Sequence, residues 1–497
     1  TPYTFTLPAN TVSDMTDNFI TNDITVSFTT MTRPVVAKAM FNFIVPDDGT
    51  ITQAIAAAAE REDTNKRFYI FVKQGDIVIP ASETATVDGK DGEKYPSPIT
   101  KLDVPNVSII GEGMDITSIA NTVPDKTIPN PETNNHEPIN PVEGLGTSTN
   151  IQLGSNATNI YVQDITLKNS IDDGLGRNVA LEDGGDRNIF KNVRLYGYQD
   201  TYYSKNGRYY FEGGELRGRV DFLCGGGDVF YNGVTLAVCG DGYIVAPGKP
   251  KQYGYIFRDC TIKGDNYNGT YKLGRPWGDG GEPIALYINT TMEIQPTAEG
   301  WNEMGDGWPA RFAEYGSKTA AGTPINLSSR KKIFAGTHEN NPILTKEEAD
   351  FYTIENVLGG DDDWNPTSLT EQASAPTGVE IDGNTLTWDD NQYVLCWAVC
   401  QDGKVIDFTT EPTYTVGDAS AKYSVRAANQ MGGLGEAAEA QIATGIDEVG
   451  AAENGEAVST AYYSIDGTRV NNEYRGVVIE VKTMADGSKT VRKTIRK

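Results

Sequence analysis

Short runs of alternating apolar and polar residues dominate this chain, and long helical periodicity is rare, which predicts a mostly β protein. One exception is ITQAIAAAAEREDTNKR (51–67), which predicts a short helix. The following RFYIFVKQGDI predicts a buried strand that ends at Gly75, and NVSIIGEG (106–113) predicts another strand with a turn. Residues 120–146 are rich in Pro, Asn and Glu, and they predict a long exposed loop.

Several segments share one small pattern, in which an apolar residue is followed by inward-pointing positions three and five residues later. The segments are VQDITL (162–167), FKNVRL (190–195), FEGGEL (211–216), FRDCTI (257–262) and, with a one-residue slip, VFYNGVTL (229–236). Such repeats are typical of a solenoid, because one coil alone cannot bury its apolar face. With β-type units, the pattern favours an all-β, right-handed parallel β-helix. A Gly-rich sandwich with accidental similarity is the alternative.

The pattern changes after GGDDDWNP (359–366). Beyond it, alternating strands around Trp388 and Tyr423 resemble a fibronectin type III-like β-sandwich. The last fifty residues end in the basic run KTVRKTIRK and resemble a type IX secretion sorting domain, and an ordinary terminal hairpin with a charged tail is the alternative. We therefore predict an unassigned lead-in (1–38), a β-helix domain (39–369), a sandwich (370–445) and a C-terminal β-rich domain (446–497).

Composition excludes several classes of function. The net charge of −26 argues against a nucleic-acid partner, because phosphate binding needs clustered Lys and Arg. No window holds eighteen consecutive apolar residues, so no membrane span is predicted. Five cysteines without CxxC spacing argue against a disulfide scaffold or a structural zinc site, and we expect buried thiols, with one bridged pair left open.

The histidine count also narrows the chemistry. The chain has two histidines, His136 and His338, both in polar, loop-like surroundings. A Ser-His-Asp triad or a His-rich metal centre would have to use one of them. If this protein is a hydrolase, we expect carboxylates to do the chemistry.

Two aspartates have the spacing of one coil. Asp200 in YQDT and Asp221 in RVDF are 21 residues apart, and Arg177 precedes Gln199 by 22 residues. Neighbouring parallel strands lie about 4.8 Å apart, so coils of this length would stack these side chains on adjacent rungs. The spacing predicts a ladder on one exposed face.

Two stacked carboxylates repel each other, and the usual result near neutral pH is one ionised and one protonated group. A nearby cation decides which of the two carboxyl groups is ionised, and LGRPW (273–277) supplies Arg275 as that cation. An arginine beside one aspartate lowers its pKa and orients it.

GYQDT, RVDF and LGRPW, in this order, resemble the signature motifs of pectin methylesterases. VKQGD and IIGEG upstream, and GW (300–301) and LGGDDDWNP downstream, extend the resemblance over about residues 40–369. The resemblance implies a parallel β-helix that hydrolyses the C6 methyl esters of pectin, without a required metal or cofactor. It further implies a monomer that is secreted or on the cell surface, and the C-terminal features suggest a bacterium.

The resemblance also assigns roles by position. Asp221 would be the nucleophile, Asp200 the general acid and base, and Gln199 an oxyanion donor. Arg275 would orient Asp221 and keep it ionised. Sugar subsites would be lined by Trp277, Tyr202 and Phe222.

Two positions depart from the family pattern. RNVAL stands where the family has QAVAL, so Arg177 replaces a glutamine that donates to the oxyanion. Arg177 could serve as that donor, or it could pair with a carboxylate and leave the oxyanion hole with one donor. We predict retained activity. Cys224 stands where the family tends to have a second aromatic residue, which puts a subsite role for Cys224 in doubt.

Two other classes of function compete with the esterase. A pectin lyase or galacturonase would cut the polymer, using calcium-binding carboxylates with a base, or an acid and base around the glycosidic bond. A non-catalytic pectin-binding β-helix would bind the polymer without releasing methanol.

Overall fold

Most of the chain that can be described forms a parallel β-helix. The computed structural model describes residues 2–13, 18–29, 33–79, 85–88, 94–97, 100–121, 127–129, 136–138, 149–169, 177–278, 281–442, 457–465, 467–471, 474–484 and 489–496. Three long parallel sheets, named sheets 1, 2 and 3 below, run along the coil. The predicted parallel β-helix is confirmed.

Each sheet takes one strand from successive coils. Sheet 1 contains Phe43–Val45, Phe68–Val72, Val107–Gly111, Tyr161–Gln163, Asn188–Lys191, Arg208–Glu212, Asp228–Asn232, Tyr255–Arg258, Ile284–Ile288 and Arg311–Tyr315. Sheet 2 contains Gly75–Val78, Thr117–Asn121, Thr166–Asn169, Arg194–Tyr196, Glu215–Gly218, Thr235–Val238, Thr261–Gly264, Thr291–Met292 and Lys318–Thr319. Sheet 3 contains Thr100–Leu102, Ile151–Leu153, Leu181–Asp183, Tyr202–Ser204, Leu223–Gly225, Tyr243–Pro247 and Lys272–Gly274.

The repeated six-residue pattern makes the corner between sheets 1 and 2. Its third position has a positive φ between 48° and 63° on each of these coils, and Asp, Asn and Gly are the residues that tolerate this left-handed conformation. The residues at this position are Asp164, Asn192, Gly213, Gly233, Asp259 and Asn289.

The first position of the pattern fills the core with stacked rings. Phe211 pairs with Tyr231, and Tyr231 pairs with Phe257, so the segment 231–236 lies in the common frame without a slip. The predicted one-residue slip is therefore wrong, because the frame begins at Tyr231 and not at Val229. Adjacent ring centroids are 5.2 Å and 4.4 Å apart, and Tyr287 continues the stack at 4.5 Å from Phe257.

The predicted helix forms over Ile51–Glu60, where Thr50 closes a capping box with Gln53. The predicted strand ending at Gly75 is wrong, because the segment divides into Phe68–Val72 of sheet 1 and Gly75–Val78 of sheet 2. Gly75 begins the second strand with a φ of 140°. Most of the predicted loop over 120–146 lies outside the described residues.

Shorter elements complete the part of the chain that can be described. Helices form at Lys346–Phe351, Ile354–Leu358 and Thr367–Thr370, with a 3₁₀ turn at Gly360–Asp362. Antiparallel pairs join Pro2–Leu7 to Ile24–Thr29, Ala85–Asp88 to Lys94–Ser97, Thr127–Pro129 to His136–Pro138, and Ile333–Phe334 to His338–Glu339.

Two four-stranded sheets form a sandwich after the β-helix. The first has the order Thr413–Thr415, Thr385–Thr387, Glu380–Asp382 and Gln441–Ile442, and the second has the order Lys404–Thr409, Trp397–Gln401, Tyr423–Ala428 and Leu434–Glu439. A separate four-stranded sheet contains Ala457–Ser464, Arg469–Val470, Gly476–Met484 and Lys489–Arg496.

The sandwich packs directly on the outer face of sheet 1. Phe408 contacts Phe71 at a ring-centroid distance of 4.8 Å, and one buried cluster includes Phe71, Tyr210 and Leu434. The Val405 backbone N–H donates to Glu112 at 3.0 Å across the same contact. Among the described residues, no helix is long and apolar enough to span a membrane.

Candidate active site

Asp200 and Asp221 occupy equivalent corners on adjacent coils. Each lies two residues before a strand of sheet 3, and Tyr202 pairs with Leu223 in those strands. The Asp200 backbone N–H donates to the Val220 carbonyl at 3.2 Å. Both aspartates have a left-handed φ, 57° at Asp200 and 50° at Asp221. The predicted spacing of one coil per 21 residues thus holds at this point of the β-helix.

Arg275 grips Asp221 with two donors. Its Nε lies 2.9 Å from Oδ1 of Asp221, and its Nη2 lies 2.5 Å from Oδ2. The guanidinium carbon lies 4.0 Å from the ring centroid of Tyr243, whose hydroxyl accepts a hydrogen bond from Asn302 at 3.0 Å. The bidentate contact and the stacked ring together fix the Arg275 side chain. Tyr243 was not predicted, although it follows Asp221 by 22 residues, the length of one coil.

The two carboxyl groups have unequal surroundings. Burial and the neighbouring Asp221 charge raise the pKa of Asp200 to about 7, against the opposing effects of Arg177, the Cys224 thiol and Arg275. Burial also raises the pKa of Asp221, but two hydrogen bonds from Arg275 and its charge act in the opposite direction. Because the guanidinium clamps Asp221, this arrangement favours a proton on Asp200 and a negative charge on Asp221 near neutral pH.

Gln199 and Arg177 lie beside this pair, but not in the predicted alignment. The Asn178 backbone N–H donates to the Gln199 carbonyl at 2.9 Å, and the Gln199 N–H donates to the Asn178 side chain at 3.3 Å. Asn178 is therefore the partner of Gln199, and Arg177 is offset by one position. Arg177 is half-buried, and its charge acts on Asp200.

The three aromatic residues predicted for the sugar subsites differ in exposure. Trp277 is half-buried, whereas Tyr202 and Phe222 have 0% exposure and pack in the core of the coil. The predicted subsite contacts of Tyr202 and Phe222 are corrected accordingly, because neither side chain reaches the surface. Because side chains alternate along a strand, Tyr203 points away from the core and is half-buried, and its ring centroid lies 6.0 Å from that of Trp277.

Access to the acids is restricted. Asp200 and Asp221 expose 5% and 3% of their surface, and Cys224 beside them exposes 1%. All five cysteines have free thiols, and burial raises the pKa of Cys224 well above its usual range. His338 lies elsewhere, stacked on Trp308 at 3.8 Å. Within the described residues, no cluster of three or more His, Cys, Asp or Glu side chains could hold a metal ion.

The proton on Asp200 should make the stability of the fold depend on pH. The pKa of Asp200 is about 7 in the folded state and near 3.8 when unfolded, so the folded state loses stability as pH rises from about 4 to about 7. The free energy of unfolding falls by about 1.4 kcal/mol per pH unit in this range. Asp200→Asn removes this fall, because asparagine does not ionise. We expect the melting temperature of the variant to exceed that of the parent by an amount that grows from about pH 4 to about pH 7. Above this range the difference should stay constant. An equal difference in melting temperature at pH 4.5 and pH 7.5 would contradict the assignment.

The chain resembles known proteins over most of its β-helix. The family described as Pectinesterase matches residues 42–361. Pectinesterase 31 of Arabidopsis thaliana is 30% identical over 181 residues, which are 36% of this chain and 56% of that protein. Probable pectinesterase 29 of the same plant is 33% identical over an alignment of 196 residues, and the alignment covers 35% of this chain and 57% of that protein. The chain therefore spans little more than half the length of these relatives.

A solved structure shares the fold. The pectin methylesterase from carrot superposes with a TM-score of 0.52 at 19% identity, covering 68% of this chain and 98% of the carrot protein. At this identity the likeness concerns the fold alone.

Proposed function

The chain belongs to the pectinesterase family, and from this premise we propose that it hydrolyses the C6 methyl esters of pectin to pectate and methanol. One observation carries the proposal: Arg275 clamps Asp221 at 2.9 Å and 2.5 Å, next to Asp200, whose pKa is about 7. The pair thus offers an ionised nucleophile and a protonated acid at the same pH.

In the first step, an Asp221 carboxylate oxygen attacks the ester carbonyl carbon of a methylated galacturonate. The carbonyl oxygen becomes an oxyanion, and the tetrahedral state then collapses with cleavage of the bond to the methoxy oxygen. Asp200 gives its proton to the departing oxygen, so methanol leaves and an acyl-enzyme anhydride remains on Asp221.

In the second step, Asp200 has become a carboxylate and can remove a proton from water. The water oxygen attacks the same carbonyl carbon, and cleavage of the bond to the Asp221 oxygen releases the uronic acid product. Asp200 is protonated again and Asp221 is ionised again, so the cycle closes. A pKa near neutrality suits a group that must act as acid and then as base.

The oxyanion needs donors in both steps. Gln199 is half-buried immediately before Asp200, so its side-chain amide is our first choice as donor. Arg177 is our choice as second donor, since it is half-buried and its charge already acts on Asp200. Trp277, with Tyr203 beside it, is proposed to hold the neighbouring sugar rings.

An assay of two products tests the function. With methyl-esterified polygalacturonate as substrate, we expect methanol release and no fall in viscosity, because no glycosidic bond breaks. A fall in viscosity would indicate a lyase or galacturonase. Binding of the polymer without methanol would indicate a non-catalytic pectin-binding protein.

We propose further that residues 39–369 are the catalytic unit and that 370–445 are a fibronectin type III-like module. The strand order of the two four-stranded sheets supports the second part. The four-stranded sheet beyond residue 457 and its basic end support a sorting role for 446–497, which would carry a bacterial enzyme to the outside of the cell or to its surface. The lead-in over 1–38 keeps no assigned role.

A further inference from the structure

A separate groove of about 1010 Å³ lies where three successive strands of sheet 1 begin. Two of these strands are Arg208–Glu212 and Asp228–Asn232, and the third is preceded by residues 251–253. The opposite wall is the helix Ile354–Leu358 with the turn that follows it. The described residues that line this groove include none of those assigned above to the esterase.

Both sides of the groove are held in place by buried polar groups. Arg208 crosses from the floor to the wall, where it donates to Asp362 at 3.0 Å and to the Leu358 carbonyl at 3.2 Å. Oδ1 of Asp228 accepts from the backbone N–H groups of residues 252–254 at 2.7 to 2.9 Å. The groove is therefore formed before a ligand arrives, which lowers the entropy cost of binding.

Aromatic rings stand on both sides of the groove. Trp364 is half-buried on one side, with its ring centroid 5.7 Å from the Arg208 guanidinium carbon. Tyr253 is half-buried on the other side, and its ring lies 6.0 Å from that of Phe351, which is 46% exposed. Such rings can cover the C–H faces of a sugar while the hydroxyl groups at its rim keep their hydrogen bonds.

The charges of the groove exclude an acidic ligand. Three exposed acids line it, namely Glu355, Asp361 and Asp363. The cations of its lining are Arg208 and Lys251, and Arg208 is already paired with Asp186 at 2.8 Å and with Asp362 at 2.5 Å. Lys251 thus faces three carboxylates, and their field repels a polyuronate with free carboxylates.

We infer that this groove is a second binding site, which takes a neutral oligosaccharide of pyranose rings. The carboxylates accept charge-assisted hydrogen bonds from sugar hydroxyls, and the amides of Gln252 and Asn365 can both donate and accept. The volume exceeds what a single sugar fills, so the ligand is a short chain. This binding goes beyond the proposed esterase activity, because it holds the protein on a neutral glycan without any turnover.

Calorimetry on the full chain tests the inference with three neutral probes, cellotetraose, β-1,4-galactotetraose and β-1,4-mannotetraose. We expect at least one to bind, with the same affinity at low and high salt, because the ligand carries no charge. Trp364→Ala should weaken this binding about tenfold. The triple variant Glu355→Gln/Asp361→Asn/Asp363→Asn should weaken it about three- to tenfold, since each charged acceptor is lost.

The triple variant keeps the test valid if Trp364→Ala fails to fold. Its three positions are exposed, and asparagine tolerates the φ of 50° at Asp363. The matched control is Glu347→Gln/Asp382→Asn/Asp402→Asn, which removes three exposed acids outside the groove and includes a φ of 51° at Asp402. The control should bind the probe as tightly as the parent does.

A competition experiment separates the groove from the candidate active site. Saturating tetragalacturonate should leave probe binding unchanged. The inference would be overturned if the parent bound none of the three probes, if tetragalacturonate displaced the probe, or if the two triple variants bound it equally. Absence of methanol release with probe binding intact would overturn the esterase proposal alone.

Discussion

Asp221→Asn should abolish methanol release, with kcat reduced on the order of 10⁴-fold or more. An amide cannot attack the ester carbonyl, and it cannot form the charged pair with Arg275 at 2.9 Å and 2.5 Å. Asparagine is the suitable replacement, because Asp221 has a φ of 50° and asparagine tolerates this conformation. The measurement is methanol release under saturating substrate, together with a circular dichroism spectrum to verify the fold.

Asp259→Asn is the matched control for that experiment. Asp259 also occupies a β-helix corner, with a φ of 55°, but it pairs with Asn289 between sheets 1 and 2. The control should keep the parent activity. Turnover within tenfold of the parent in Asp221→Asn, with the fold retained, would reject Asp221 as the nucleophile.

Arg275→Lys should lower kcat by about 10²-fold. Lysine keeps the positive charge but loses the planar pair of donors that holds both oxygens of Asp221, and it loses the stacking on Tyr243 at 4.0 Å. Asp221 would then be less well oriented, and its pKa should rise because one stabilising contact is gone. The kcat profile against pH should therefore move its acidic limb to higher pH.

The control is Arg194→Lys, on the outer face of sheet 2. Arg194 makes comparable ion pairs, at 2.7 Å to Asp115 and 3.1 Å to Glu215, and it does not contact the site. It should leave both kcat and the pH profile unchanged. If Arg275→Lys lowers activity without moving the acidic limb, Arg275 does not act through the ionisation of Asp221.

The β-helix could be predicted because its repeat follows from local chemistry. Each coil needs an apolar residue pointing inward and then a residue that tolerates a left-handed corner, such as Asp164 or Asn192. Asp, Asn or Gly at the third position also identifies the segment 231–236 without a slip and the segment 287–292 as a further unit.

Positions within the site were predicted less well than the coil itself. A strand turns alternate side chains inward, so an error of one residue exchanges a core ring for a surface ring, as with Tyr202 and Tyr203. The same one-residue error explains why Asn178, and not Arg177, pairs with Gln199. Equivalent residues on successive coils are 20 residues apart at Phe211 and Tyr231 but 30 apart at Phe257 and Tyr287. Because the coil length varies this much, spacing in the sequence alone does not fix which residue of a strand faces inward.

The packing of the sandwich on the coil was not predicted, although a signal was present. The strand Phe68–Val72 is apolar on both faces, with Ile70 in the core of the coil and Phe71 in the cluster shared with the sandwich. Strands buried on both faces have continuous apolar runs. Such a run predicts that another element covers the outer face of the sheet. It does not identify which later segment of the chain packs there.

Carbon-13 NMR titration of the aspartate carboxyl groups tests the central claim most directly. We predict one carboxyl that titrates near pH 7 and disappears in Asp200→Asn, and a second that titrates at lower pH and disappears in Asp221→Asn. In Asp221→Asn the Asp200 signal should also move to lower pH, because a charge that raises its pKa is gone. Two signals that both titrate near the ordinary aspartate value of about 3.9, or an Asp221 signal that titrates above that of Asp200, would contradict the division of roles between the two acids.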